Sequence, residues 1–424
     1  MRNSYKMRFS TPRKSEGWNS MSAAPNGRPA SARARNVSHA RSQWAVASNA
    51  VRAMMPGMPS RHVARPPCCD HDAPDPRAAT GRPLRWGVVA TGMIARRVTE
   101  QLAGLEDALL HAVSSRDEER ARAFAQELGA EAAYGDTGDR PGHLALAADP
   151  DVEVVYVAAP HGQHFEIAQA LLQAGKHVLL EKAFTVTATE AAELVTVARR
   201  QGRFLMEAVW TRFLPVFHAV VDVVASSELG EVRWVQADLG FPAPPDPRSR
   251  LWAPEAGGGA LLDLGVYGVS WARAGLGAPL SVTAHGVLNE HGVDGLTALT
   301  LVHEGGGLAQ ITGTLTSEAT RTATMAGTEG TLRTWAPLTS PTGFTVIRGD
   351  ASREVAIEPA APPYAYMLRE VTRCIQQGLL ESPTMPQGES VALMRLFDAA
   401  RRQLGVRYPN DDRREAAPLP GAAP

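Results

Sequence analysis

The chain has 424 residues, 44% hydrophobic and 21% charged, with a net charge of -1. That length suits two or three domains with sizeable cores. The near-zero charge gives no footing for nucleic acid or an anionic membrane as main partner, and no apolar run is long enough to span a bilayer.

Residues 1–83 read as a disordered leader. They are rich in Arg, Ser, Ala and Pro, and Glu16 is the only acid before Asp70. A dispensable leader is favoured over a targeting peptide, since no secretory apolar core is present. The three Cys (Cys68, Cys69 and Cys374) have no disulfide or zinc spacing, which suits a reducing, cytoplasmic compartment. Cys68 and Cys69 could meet a metal with His71, but adjacent Cys have poor geometry for it, and no metal is expected.

From Leu84 strands alternate with helices. Arg85–Ala90 reads as a strand, Thr91–Ala95 as a turn opening a helix, and Leu109–Ser114 as a second strand. Arg116–Leu128 reads as an amphipathic helix stopped by Gly129. Asp151–Ala158, Val178–Leu180 and Arg203–Ala208 are further strands, and His164–Ala174 and Ala188–Gln201 are helices. The alternation predicts a parallel sheet covered on both faces over 84–208. After Arg212 the rhythm changes. A helix is expected over Pro215–Ser226, followed by strands at Val232–Asp238, Thr297–Val302 and Leu308–Leu315. These predict a large, open, mostly antiparallel sheet in a second α/β domain over 209–409. Helices over Tyr364–Gln377 and Glu389–Leu404 close it, and 410–424 reads as a loose tail.

Four stretches carry chemistry. Ala90-Thr91-Gly92-Met93-Ile94-Ala95 fills a G-x-G-x-x-G/A frame with Ala at the first position. Between a strand and a helix, such a turn offers backbone N–H groups and a helix N-terminus to a pyrophosphate. At the end of the second strand stand Ser114-Ser115-Arg116, where an NAD site usually has an acid for the ribose 2′-hydroxyl. Arg116 can pair with a 2′-phosphate and Ser115 can donate to it, so NADP is expected rather than NAD. Glu181-Lys182 ends an apolar strand, the edge where open parallel sheets bind ligands. In Gly257–Tyr267 a Gly-rich loop runs into a helix, with Asp263 and Tyr267 four residues apart on one face. Spacing alone fits a capping Asp and a core Tyr equally well. A Lys182 ammonium nearby is expected to lower the Tyr267 pKa and prepare it as a base.

Taken together, Arg85–Gly92, Ala159–His164, Ala174–Lys182, Met206–Phe213, Gly257–Tyr267 and Arg402–Pro409 resemble the Gfo/Idh/MocA oxidoreductases. Within them, the dihydrodiol and NADP-dependent D-xylose dehydrogenase branch is most similar. The resemblance implies a Rossmann domain, then an α/β domain whose open sheet joins subunits into a homodimer or homotetramer. It implies Lys182, Asp263 and Tyr267 as catalytic residues. It places Ala159, Pro160, His161, His164 and Glu181 beside the nicotinamide, and Arg250 and Trp252 at cofactor or substrate. The implied substrate is a sugar, polyol or vicinal diol. Ala183 stands where the family has Pro, which loosens the backbone restraint on Lys182. Two rivals remain open: an NADP-binding sensor without turnover, and a bound-cofactor enzyme that shuttles hydride between sugars.

Overall fold

Val154–Val157 is buried along its whole length, as a central parallel strand between two helical layers must be. The computed structural model describes residues 64–69, 75–246 and 248–412. The first domain comprises β1 (Leu84–Val89), α1 (Met93–Leu102), β2 (Ala108–Ser114), α2 (Glu118–Leu128), β3 (Ala132–Tyr134), α3 (Gly142–Ala148), β4 (Val154–Val157), α4 (His164–Gln173), β5 (His177–Leu180), α5 (Ala188–Gln201) and β6 (Leu205–Glu207). The six strands are parallel in the order β3-β2-β1-β4-β5-β6. The order reverses between β1 and β4, so a crevice opens beyond their carboxyl ends.

Local signals set the helix limits. Asp117 caps α2 by accepting from the Arg120 N–H at 2.9 Å, and Gly129 ends it at φ 79°. Thr187 caps α5 by accepting from Glu190 N–H, and Gly202 ends it at φ 62°. Asp and Thr oxygens satisfy donors that a helix leaves unpaired, and Gly takes the left-handed closing residue without steric cost.

The second domain comprises α6 (Pro215–Ala225), β7 (Val232–Gly240), α7 (Ala260–Leu276), β8 (Pro279–Leu288), β9 (Asp294–His303), β10 (Leu308–Thr314), β11 (Ala323–Gly327), β12 (Thr331–Thr334), β13 (Gly343–Arg348), β14 (Ala351–Ala356), α8 (Pro363–Gln376), α9 (Gln387–Leu404) and the short α10 (Pro409–Asp412). Its eight strands run β14-β13-β12-β11-β7-β10-β9-β8, antiparallel except for the β7–β10 pair. The buried helix α7 lies on this sheet. A Cβ on Gly268 would come within 2.4 Å of Ile311 Cγ2, so only glycine admits that approach. On the other face, Trp234 donates to Gln310 at 3.2 Å, and Val302 and Leu308 are exposed.

Two expectations about the chain ends are corrected. Residues 64–69 and 75–83, assigned to a disordered leader, are folded and packed. Arg65 pairs with Asp222, and Cys69 donates to Phe213 O at 2.8 Å. Arg369 binds Pro76 O at 2.8 Å and Asp107 at 2.7 Å. Pro- and Arg-rich composition concealed the anchoring role of these few side chains. His71, and with it the Cys68–Cys69–His71 arrangement, lies outside the described residues. Residues 410–412, assigned to a loose tail, belong to α10 and are tied down. Arg401 binds Asp411 at 3.1 Å, and Asn410 is buried. The rest of the expected tail lies outside the described residues.

Candidate active site

A cavity of about 890 Å³ occupies the crevice beyond β1 and β4 and continues to the N-terminal turns of α7. It is lined by Ala90, Thr91, Gly92, Met93, Ile94, Ser115, Arg116, Ala159, Pro160, His161, Glu181, Lys182, Arg250, Asp263 and Tyr267. All but two of the expected site residues, His164 and Trp252, therefore converge. His164 is fully buried behind the cavity wall. Its Nε2 faces Ala159 O at 2.8 Å and its Nδ1 faces Ala183 O at 2.9 Å, so it ties the 159–164 loop to the 181–184 loop. Trp252 is likewise not in the wall. It donates to Pro244 O at 2.8 Å.

At one end, Ala90 holds φ 83° in the turn between β1 and α1. An L-residue pays about 1–2 kcal/mol for a left-handed backbone. A Cβ on Gly92 would meet nothing within 4 Å, so the space before the α1 N-terminus is open to a phosphate. Beyond it, Ser115 and Arg116 are joined by Arg120, Asp136 and His143. The Arg116 side chain is exposed and has no hydrogen-bond or ion-pair partner among the described residues.

The other end is buried. Lys182 Nζ donates to the Asp263 backbone O at 2.7 Å and to Asp263 Oδ1 at 3.2 Å. Arg250 Nη1 reaches the same Oδ1 at 3.0 Å. Burial alone would raise the Asp263 pKa, but Lys182 and Arg250 hold it well below the usual carboxylate range. Burial also opposes the Lys182 charge, yet Asp263, Tyr267 and Glu181 outweigh it and hold that pKa up. The Lys182–Ala183 peptide bond is cis. Whatever freedom Ala183 permits, Lys182 is fixed by these bonds to α7.

Tyr267 is 6% exposed, with Lys182 Nζ 5.2 Å from its ring centre. Its pKa moves opposite to expectation. Burial raises it, and the lowering by Lys182 and by the Trp210 hydrogen bond does not overcome that. Sequence showed the cation but not the depth of burial. Trp210 Nε1 donates to the Tyr267 hydroxyl at 3.0 Å, and Trp210 lies 4.7 Å from the Tyr364 ring. Glu181 accepts from the Tyr156 hydroxyl at 2.6 Å and the Lys182 N–H at 3.2 Å.

His161 faces Gly257 O through Nδ1 at 2.8 Å and Lys182 O through Nε2 at 3.0 Å. Burial lowers its pKa to about 3 and that of His164 to about 4. That shift favours the neutral ring, which carries one N–H and can donate to only one of its two facing carbonyls; both rings pack between the Rossmann loops, His161 also against the Gly-rich loop.

Sequence reasoning missed Trp210, Arg120, Pro409 and Asn410 in the cavity wall. Asn410 Nδ2 donates to Glu190 Oε1 at 2.9 Å and approaches Gly162 O at 3.3 Å, while the Tyr408 hydroxyl donates to Gly258 O at 2.5 Å. Trp210 and Pro409 lie in Met206–Phe213 and Arg402–Pro409, two stretches that carry the family resemblance, and that was their sequence signal.

With this geometry in view, comparison with known proteins is informative. Residues 84–209 match an oxidoreductase family with an NAD-binding Rossmann fold, and residues 217–333 match the GFO/IDH/MocA C-terminal domain. The chain is 37% identical over 345 residues to the trans-1,2-dihydrobenzene-1,2-diol dehydrogenase of Mus musculus, covering 78% of this chain and 99% of that protein. It is 34% identical over 347 residues to the Homo sapiens enzyme of the same name, covering 78% and 99%. A crystal structure of a 3-ketoreductase from Actinomadura kijaniata, in complex with NADP and TDP-benzene, superposes with a TM-score of 0.68 at 29% identity, covering 76% of this chain and 98% of that one.

Proposed function

The chain belongs to the Gfo/Idh/MocA oxidoreductase family, and from that premise we propose that Tyr267 carries proton transfer, assisted by Lys182, in an NADP-dependent oxidation of a sugar, polyol or vicinal diol. At the coarser level it is an NAD(P)-dependent dehydrogenase acting on CH–OH groups.

The residues fit a dinucleotide. The open face of Gly92 stands at the α1 N-terminus, where backbone N–H groups bind phosphate. Ser115, Arg116 and Arg120 offer a hydroxyl and two guanidiniums to a 2′-phosphate. Ala159, Pro160 and His161 line the nicotinamide end. When bound, NADP accepts or returns a hydride at the nicotinamide ring.

The single observation that carries this reading is the convergence of Lys182, Asp263 and Tyr267 on the wall that also holds the Gly92 turn. Asp263 fixes Lys182 as an ammonium, which holds the substrate oxygen and stabilises negative charge on it. Tyr267 takes the hydroxyl proton in oxidation and returns it in reduction. Its raised pKa keeps the phenol protonated at neutral pH, the state that donates to a carbonyl oxygen in the reverse direction. Trp210 holds the phenol oxygen from the far side. Asp263 orients Lys182 and is not itself a proton carrier.

A sensor without turnover has no use for a buried Lys182–Asp263 pair beside an ionisable phenol. The resemblance also supports the open sheet face as the contact between subunits. Among the described residues no helix is long and apolar enough to cross a membrane.

The test is reduced-cofactor absorbance on mixing purified protein with NADP+ or NAD+ and a panel of aldoses, inositols and vicinal diols. Turnover with NADP+ on one class is the expected result. Tight NADP binding without turnover on any class would overturn it in favour of a sensor. Turnover only between paired sugars, with no cofactor release, would favour the bound-cofactor shuttle.

A further inference from the structure

Helix α7 has a second functional-looking surface. Asp263 and Tyr267 face the dinucleotide cavity. One turn further on, Val269, Ser270 and Arg273 line a separate cavity of about 440 Å³, closed by the start of β8 and by α9. That volume lies within the range of small-molecule sites.

One part of its wall is charged. Arg212 Nη1 pairs with Glu389 Oε2, and Arg273 Nη2 donates to Glu389 Oε1 at 2.6 Å. Two guanidiniums thus share one carboxylate. Arg212 is 3% exposed, and among the described residues its Nε and Nη2 have no acceptor, nor has Arg273 Nε. A further acid acting on Arg212 is Glu207. Its carboxyl is not part of the cavity lining, and burial raises its pKa. Buried cations are costly unless balanced, and in the cavity lining Arg212 and Arg273 face one acid, Glu389, which leaves the wall with more cations than anions. Arg395 at the exposed rim adds to it. Apart from Ser270 and Ser281 the remaining wall is apolar, including Leu280, Val282, Leu393 and Leu396.

We propose that this second cavity binds a small carboxylate with an apolar body, the carboxylate held by Arg273 backed by Arg212, and the body packed between α9 and β8. A monoanion matches the residual charge. A planar carboxylate matches the fork of donors on a guanidinium. The apolar walls disfavour a bare inorganic anion. The inference is independent of the reaction proposed above, because it uses no residue of the dinucleotide cavity.

The experiment is calorimetric titration of sodium hexanoate into NADP-saturated protein, which keeps Lys182 and Arg250 covered. It is run with wild type, Arg273→Gln and Ala399→Phe, with acetate and hexanol as comparison ligands. Saturable binding of hexanoate is expected, weakened about tenfold or more by Arg273→Gln, in line with loss of one charged hydrogen bond. Ala399→Phe, which fills the apolar part, should weaken it without touching the arginines. Unchanged NADP affinity in both variants shows that they fold. Absence of saturable binding to wild type, or equal binding in all three proteins, overturns the proposal. Acetate or hexanol binding as tightly as hexanoate also overturns it, since each lacks one of the two features the cavity is said to read.

Discussion

The two ends of the dinucleotide cavity are built on opposite terms. At the reaction end, charges are buried and already paired. Asp263 is held by both Lys182 and Arg250, Glu181 by Tyr156, and His161 and His164 are neutral between carbonyls. At the adenosine end, Arg116 is exposed and has no partner among the described residues. The roles proposed for the two ends account for the difference. Proton transfer gains from groups that need not reorganise when charge develops. Recognition of a phosphate gains from a cation with no protein rival for it.

Breaking the reaction end should have the largest effect. Tyr267→Phe removes the proton carrier and is expected to lower kcat by about 10²–10⁴-fold, the usual range for a general acid or base. NADP affinity, measured by cofactor fluorescence, should hold. A variant that retained most turnover would remove Tyr267 from the mechanism and dissolve the contrast.

Acid should also weaken the reaction end. His161 and His164 titrate near 6.5 in an unfolded chain, but at about 3 and about 4 when folded. Groups with depressed folded pKa values contribute stability above pH 6.5 that is lost as pH falls toward 4. For His164 alone the loss amounts to about 3 kcal/mol. The thermal midpoint should therefore fall between pH 6.5 and 4, and His164→Asn should flatten that fall while costing stability at pH 7. A midpoint independent of pH over this window would show that the rings are not buried neutral.

A smaller and more selective effect is expected at the adenosine end. Arg116→Ala should weaken NADP by about 10–100-fold, the worth of one charge-assisted contact, and leave NAD nearly unchanged. Equal losses for both cofactors would mean that Arg116 supports the fold rather than reading the 2′-phosphate.

Smallest is Ala90→Gly. Relief of the left-handed backbone at φ 83° is partly cancelled by the freedom glycine gains in the unfolded chain. A net gain of about 0.5–1 kcal/mol is expected in denaturant melts.

Sequence revealed what local pattern controls. Helix α5 was legible to the residue because Thr187 and Gly202 mark its ends. The G-x-x-A turn and the Asp263–Tyr267 spacing were legible for the same reason. β3 and α3 were not, being three and seven residues long, too short to show a period. Strands β11 to β14 were also missed, because four to six residues broken by Gly and Pro resemble turns. At the site, the missing pieces were all tertiary. Nothing near Trp210 in sequence shows that its N–H meets a phenol 57 residues away. Nor can composition show that Tyr267 is buried deeply enough for desolvation to outweigh a neighbouring ammonium.

The Tyr408–Asn410 segment leaves one consequence for biosynthesis. It binds Gly162 O in the first domain and Gly258 O in the second, yet it is translated after both. Domains emerging from a ribosome fold in order of synthesis, so the Rossmann sheet can form while its nicotinamide loop still lacks this clasp. Competence for chemistry then arrives in a separate late step, and a nascent chain that stalls beyond α9 would hold two folded domains with an unfinished site between them.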